Sequence, residues 1–312
     1  MSEFDFIERI QRKIKVRKGE INVGIGDDCA FIKNGNNLLI TVDSQVENIH
    51  FKLSWGRPEL LGRKLVRINM SDIYAKGGNP EYALLSIGVD YKNKKGYINT
   101  YINGVIKELE DNNIQLIGGN VSSVKKGIFF DLVMIGVVKE AKFRYRGGAK
   151  IGDYIAVSGM LGDASAGVKI LEYFGPISKS YERLVNAFYG PEVYYYGDKK
   201  IWNYVNASID ISDGLIGDLS HILKSSNCGA LIDLDKIPIS SELRKFCGEK
   251  GLDINYFALS GGEDYRLLVT LKENTPKSVI LESGFTIIGK IVKQRGIRIK
   301  GIKKSYSSFK HF

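Results

Sequence analysis

The sequence predicts an α+β protein built from two domains. Three observations carry this. Strand-like and helix-like periodicities alternate through both halves of the chain instead of segregating. The length, 312 residues, suits two domains of ordinary size. A basic, glycine-containing stretch, KEAKFRYRGGAKIGD (139–153), interrupts the pattern, and strands and helices begin again after it. The boundary is placed there, giving domains 1–140 and 141–312.

The elements follow in order. Residues 3–15 read as an amphipathic helix with Phe6, Ile7, Ile10 and Ile14 on one face. NLLITVDSQV is a strand entering a polar turn. ELLGRKLVRINMSDIYAKGG has helical spacing, with Leu60, Leu61, Leu65, Ile68 and Ile73, and Gly77-Gly78 close it as C-cap residues do. YALLSIGVDY is a strand and YINTYINGVIKELEDNN a helix. IQLIGGN reads as a short buried strand ending in glycines. IFFDLVMIGVV alternates Ile128, Phe130, Leu132 and Met134 on one face, as a sheet strand does. In the second half, YIAVSGM, ASIDIS, GALIDLD, YRLLVTL and FTIIGKIV are strands. DASAGVKILEYF is a helix, and GLIGDLSHILKSS is another, striped by Leu215, Leu219, Ile222 and Leu223.

Composition narrows the function. The formal net charge of +10 suits nucleic acid, an acidic surface, small polyanionic substrates, or solubility alone. Three cysteines, Cys29, Cys228 and Cys247, lie far apart and form no CxxC pair. This argues against a disulfide framework or zinc site and for a reducing cytoplasm. The charged N-terminus is unlike a signal peptide, and no apolar run reaches the ~18 residues of a membrane span.

Acidic residues recur at predicted strand ends and turns, beside glycine or a hydroxyl residue: GDDCA (Asp27, Asp28), TVDS (Asp43), NMSD (Asp72), DISDG (Asp210, Asp213) and SGGED (Glu263, Asp264). Each alone has an ordinary explanation as a turn Asp or an N-cap, Asp213 before Gly214 above all. Asp43 and Asp210 directly follow apolar runs, where a carboxylate has no evident structural purpose. Converging carboxylates would repel one another and their pKa values would rise. A hard cation removes that conflict, and Mg²⁺ is held by a few carboxylates plus substrate phosphates. Oxygens of Thr41, Ser44, Ser71 and Asn120 suit the same shell. The three histidines form no HExxH pattern, against zinc hydrolysis.

Two glycine motifs mislead. GFTIIGKI (284–291) matches GxxxxGK, but Ile291 stands where a Ser or Thr binds Mg²⁺, and an apolar strand follows instead of a helix. GIGDD at Gly24 lacks the third glycine of a dinucleotide fingerprint and offers two anions instead. Arg146, beside Gly147-Gly148, suits either a bidentate phosphate clamp or an ordinary solvated basic loop.

Taken together, the motifs GIGDDCA, TVDSQVENIHF, GRKLVRINMSDIYAKGGNPEYALLSIG, QLIGGN, RGGAKIGDYIAVSGMLGDASAG, ASIDISDGLIGDLSHI and LSGGEDYRLL run in order over 24–268. In this the chain resembles the thiamine-monophosphate kinase family, of the superfamily that also holds aminoimidazole-ribotide synthetase and selenophosphate synthetase. The resemblance implies two α/β domains of the aminoimidazole-ribotide-synthetase-like type, with the N-terminal domain forming a barrel-like core across a homodimer. It implies phosphorylation of thiamine monophosphate to thiamine diphosphate by ATP, with Mg²⁺ on acidic residues. By matching motifs, the metal ligands fall on Asp28, Thr41, Val42 (by its carbonyl), Asp43, Asp72, Asp210 and Asp213. Nucleotide contacts fall on Gly119, Asn120, Arg146 and Ser212, and substrate contacts on His50, Glu263 and the aromatic Phe309. Asn120 stands where the family often has Asp, and Phe309 where some members have Trp.

The implied nucleophile is a phosphate oxygen already largely ionised near neutral pH, so no side chain is required as a strong general base. Catalysis is then positioning plus charge neutralisation. One rival is an aminoimidazole-ribotide-synthetase-like enzyme, disfavoured by SGGEDY and NIHF. The other is a basic nucleic-acid-binding protein, which rests on charge alone because no basic–aromatic surface motif is present. Neither nucleic acid nor a membrane is expected as a partner.

Overall fold

The computed structural model describes residues 21–24, 26–33, 35, 37–175 and 181–301. The expected helix over 3–15 and the expected aromatic Phe309 lie outside them.

The first sheet has six strands in the order β1-β2-β3-β6-β4-β5: β1 (Ile21–Val23), β2 (Ala30–Ile32), β3 (Leu38–Val46), β4 (Asn79–Val89), β5 (Gln115–Ser123) and β6 (Ile128–Val137). Pairing is antiparallel except between β4 and β5. A parallel neighbour needs a long crossover, which helix α2 (Tyr91–Asp111) supplies. Helix α1 (Pro58–Ala75) packs beside it. The alternation read in β6 holds, with Ile128, Phe130, Leu132 and Met134 all buried. Past α1, Gly77 sits at φ 76°, and a Cβ there would lie 2.6 Å from the Lys142 carbonyl and from the Trp202 indole nitrogen. Only glycine meets both demands.

β5 differs from expectation. It is neither short nor buried: it runs for nine residues, all exposed. Its apolar side chains suggested a core strand, but it is the edge of the sheet. Leu116, Ile117 and Val121 are 40%, 52% and 72% exposed.

The second sheet also has six strands, in the order β12-β9-β11-β7-β10-β8: β7 (Tyr154–Val157), β8 (Val205–Asp210), β9 (Gly229–Asp233), β10 (Leu267–Leu271), β11 (Thr286–Val292) and β12 (Gly296–Lys300). Its helices are α3 (Asp163–Phe174), α4 (Glu182–Tyr189), α5 (Leu215–Ser226), α6 (Ser241–Lys250), α7 (Ile254–Ser260) and α8 (Lys277–Ser283). The predicted stripe of α5 is buried at all four positions. The strands and helices that periodicity did not reveal have ten residues or fewer: β1 and β2 have three each, β12 five, α7 and α8 seven each, α4 eight and α6 ten. Such spans are too brief for a repeat to register.

The two halves of the chain share a core, although the strands of the second sheet have clusters of their own. One apolar cluster runs from Leu39 and Phe130 of the first sheet through Leu65 of α1 to Leu171, Phe188 and Phe257 of the second half. A second cluster lies under α5. The seam between the halves is therefore a packed interface, and the site described next lies on it. All three cysteines are buried and free. No helix among the described residues is long and apolar enough to cross a membrane.

Candidate functional site

The acidic residues of four separate motifs meet at this seam, though from unexpected backbone positions. Asp43 lies inside β3, not at a strand end, and Asp72 is on α1, not in a turn. Asp210 does end its strand, β8, and Asp28 sits between β1 and β2. An oxygen from each of Asp28, Asp72 and Asp210 lies within 4.8 Å of the others. Strand alternation puts Thr41 and Asp43 on one face and Val42 on the other, where the Val42 side chain is 58% exposed. Thr41 donates to Asp72 at 2.5 Å, Ser71 donates to Asp210 at 2.7 Å, and the Asn69 carbonyl oxygen accepts the Asp43 N–H at 3.1 Å. The polar residues 69, 71 and 72 of one helical turn thus hold β3 and β8 together.

The cluster is electrostatically divided. Burial pushes Asp43 up to about 6, helped by Glu263, Asp28 and Asp213. Burial pushes Asp210 up to about 7, with Asp28 and Asp43 adding and the Ser71 hydroxyl opposing. Asp72 is driven well above the usual carboxylate range by burial, Asp43 and Asp210. Asp28 moves the other way: burial would raise it, but Arg146 and Lys76 outweigh burial and hold it low. Three carboxylates facing one another at high pKa are a set short of positive charge. Their all-oxygen donors fit a hard divalent cation such as Mg²⁺.

Beside them opens a cavity of about 550 Å³. Asp43, Asp72, Asp210, Ser212 and Asp213 line it, as do His50 and Glu263 and the aromatic residues Trp55, Phe188, Tyr256 and Phe257. A lining of both carboxylates and aromatic rings suits a ligand with a metal-bound phosphate and a ring system. The His50 Nδ1 accepts the Val46 N–H at 3.0 Å, which fixes the ring's tautomer and direction. Glu263 and Tyr265 adopt φ of 72° and 49°, strained for residues with side chains. Backbone bonds from their N–H groups to the Ser212 and Ile211 carbonyls, both 2.8 Å, hold this turn.

The structure places some expected residues elsewhere. Gly119 and Asn120 lie on exposed β5 and do not line the cavity of their own chain. A Cβ at Gly119 would collide with the Leu85 carbonyl, so that glycine also has a packing reason. Arg146 binds Asp28, with its Nε at 2.8 Å and Nη2 alongside, and its backbone N–H donates to Asp27 at 3.2 Å. It is thus engaged with carboxylates instead of standing as a solvated loop cation. Asp213 is not the cap of α5: Gly214 is the N-cap residue, without a side-chain cap bond. Asp218, one turn into α5, takes the N–H groups of Ser212 and Asp213 at 3.0 and 3.1 Å. That leaves Asp213 to line the cavity.

Sequence reading missed four buried charged residues. Lys64 pairs with Glu263 and lies 3.5 Å over the Phe188 ring. Lys76, fully buried, reaches Asp27 and Asp28. Asp218 shapes the Ser212 loop. Asp264, in a noted motif but given no role, accepts the Gly162 N–H at 2.8 Å; burial pushes it up to about 7. A signal for the lysines did exist. Lys64, Ile68 and Asp72 repeat every four residues along α1, and Lys76, its C-cap residue, continues the spacing; Lys64, Ile68 and Lys76 are buried.

Comparison with known proteins agrees with this geometry. The family AIR synthase related protein, N-terminal domain, matches residues 26–138, and its C-terminal domain matches residues 150–302. A thiamine-monophosphate kinase of Aquifex aeolicus is 32% identical, covering 100% of this chain and 98% of that protein. One from Buchnera aphidicola is 36% identical, covering 100% and 99%. The solved structure of AaThiL complexed with AMPPCP and TMP superposes with a TM-score of 0.88 at 32% identity, covering 100% of this chain and 97% of that one. With both domains matched in order and relatives aligned end to end, the chain belongs to the thiamine-monophosphate kinase family of AIR-synthase-related proteins.

Proposed function

We propose that this protein transfers the γ-phosphoryl group of ATP directly to the phosphate of thiamine monophosphate, giving ADP and thiamine diphosphate. The observation that carries the reading is the convergence of Asp28, Asp72 and Asp210, two of which, Asp72 and Asp210, line a cavity also lined by Trp55, Phe188, Tyr256 and Phe257, in a chain of this family. Asp72, Asp210, Asp43 and Asp213 would hold Mg²⁺, assisted by Thr41 and the Val42 carbonyl, with Asp28 at the edge of the set. Bound there, Mg²⁺ supplies the charge neutralisation that phosphoryl transfer between two anions requires. Ser212 and the loop braced by Asp218 approach the nucleotide. His50 and Glu263, each fixed by its own hydrogen bond or ion pair, orient the acceptor, and Trp55, Phe188, Tyr256 and Phe257 take its rings; the resemblance assigns a further ring contact to Phe309. The chain's contribution is orientation and exclusion of water, not proton abstraction.

The protein would act as a cytoplasmic homodimer, divided near residue 140 into a metal-binding, dimerising domain and a second α+β domain. An exposed edge strand bearing Leu116, Ile117 and Val121 is a surface that pairs readily with another copy. Such pairing would carry Gly119 and Asn120 toward the partner's nucleotide. The test is product analysis: purified protein with Mg-ATP and either thiamine monophosphate or an aminoimidazole-ribotide precursor. Thiamine diphosphate and ADP in equal amounts are expected. Turnover of the precursor alone would make the protein a synthetase instead.

A further inference from the structure

Lys76 is the most completely buried cation at the site, with a side-chain exposure of 0%. Its ammonium carries three N–H donors, and three oxygens lie within reach: the Ser208 carbonyl at 2.8 Å, Asp27 at 2.7 Å and Asp28 at 2.6 Å. The Asp28 oxygen not facing Lys76 faces Arg146. Both oxygens of Asp28 are therefore already held by cations. Asp27, Asp28, Lys76 and Arg146 form a charge-balanced quartet inside the protein. The neighbouring carboxylates Asp72 and Asp210 receive hydroxyl donors from Thr41 and Ser71, and among the described residues neither is in an ion pair. The site thus has a compensated half and an uncompensated half, less than 5 Å apart.

We propose that Lys76 is a built-in counter-cation that takes the place of a divalent ion at Asp28. The cluster then recruits its metal through Asp72 and Asp210, and Asp28 is withheld as a direct ligand. This rests on the reading that the cluster binds Mg²⁺, and it adds what that reading lacks: which carboxylates are open to the metal. A buried ammonium costs desolvation and returns it only through full pairing. A lysine held by three oxygens meets that condition, and its positive charge near the cluster lowers affinity for a further ion.

The test uses Mn²⁺ as the probe, titrated into the full-length protein without nucleotide and followed by electron paramagnetic resonance. Lys76→Met, similar in length and uncharged, is expected to bind an additional Mn²⁺ or to bind Mn²⁺ at least about tenfold more tightly. Lys76→Met/Asp28→Asn, which also removes the carboxylate that the lysine covers, is expected to return to the wild-type isotherm. Asp210→Asn is expected to lose binding. Unchanged or weaker binding in Lys76→Met, with loss in Asp210→Asn, overturns the counter-cation and leaves the metal reading standing. No Mn²⁺ binding in any of the proteins overturns both. Should Lys76→Met fail to fold, an anomalous-scattering map of wild-type crystals soaked in Mn²⁺ decides. Manganese on Asp72 and Asp210, with Lys76 still on Asp28, supports the proposal. Manganese on Asp28 with Lys76 displaced overturns it.

Discussion

Asp28 and Asp210 carry the same side chain, lie within 4.8 Å of each other, and are shifted in opposite directions. The difference is which residues face them. Cations hold Asp28 charged, while Asp210 faces carboxylates across a buried gap. A residue that is costly to ionise alone suits a site that takes a positive ligand. On the proposed metal role, Asp210→Asn and Asp43→Asn should lower kcat by at least about 10³-fold, since each would remove charge that holds the metal. Circular dichroism and melting temperature should stay at or above wild type, because a neutral amide removes a repulsive charge. Full turnover in either purified variant would refute the metal role. At this scale the sequence was informative about residue type and silent about partners. The Asp motifs were visible, but the lysines beneath them were not, because a lysine in a helix normally reads as solvated.

At the scale of elements, α1 organises the site. Residues 69, 71 and 72 reach β3 and β8, Lys64 reaches Glu263 and Lys76 follows the last turn. A small shift of α1 would move all of them. α1 is seated against α2 by glycines: a Cβ on Gly62 would collide with the Tyr101 carbonyl, and one on Gly104 with the Glu59 carbonyl. Gly104→Ala should destabilise the protein by about 1–3 kcal/mol through overpacking, read as a lowered denaturation midpoint. Activity should fall more steeply than stability, because α1 is pushed out of register with β3. β5 makes the opposite case, an element with no outer neighbour among the described residues. If the proposed homodimer forms through it, Val121→Glu, at its most exposed apolar position, should yield monomers by sedimentation. If Gly119 and Asn120 serve the partner's nucleotide, the same variant loses activity and keeps its fold. The long helices and β6 were legible because two or more periods of a pattern fit within them. β5 was legible as a strand but misjudged as buried, since apolar content says nothing about what lies alongside.

Over the whole molecule, the raised carboxylates make stability depend on pH in a direction unlike that of most ion-paired proteins. Asp43 titrates near 6, and Asp210 and Asp264 near 7, whereas unfolded Asp titrates near ~3.9. Between those values the folded chain binds more protons than the unfolded chain, so stability falls as pH rises. The contribution is complete below about pH 4 and lost through pH 6–7. Asp28 runs the other way, stabilising above its unfolded pKa and failing only in stronger acid. The metal-free protein should thus melt at a higher temperature at pH 5 than at pH 7.5. Asp210→Asn should remove about 2–3 kcal/mol of that slope. Mg²⁺ should restore the loss at pH 7.5 in wild type but not in Asp210→Asn. A metal-free melting temperature that rises from pH 5 to 7.5 would contradict the buried, uncompensated state of these groups. By itself the sequence determined the mixture of strands and helices in both halves, the family, and the acidic motifs to which the chemistry is assigned. Those are properties of local order and residue type, and the chain states them directly. Only the tertiary structure decided that Asp28 is paired with Lys76 and Arg146 while Asp72 and Asp210 are not. It alone placed Glu263 over Lys64 and left β5 bare. These depend on which distant segments meet at the seam between two sheets, and on the cost of burying charge there. No pattern along the chain encodes that cost.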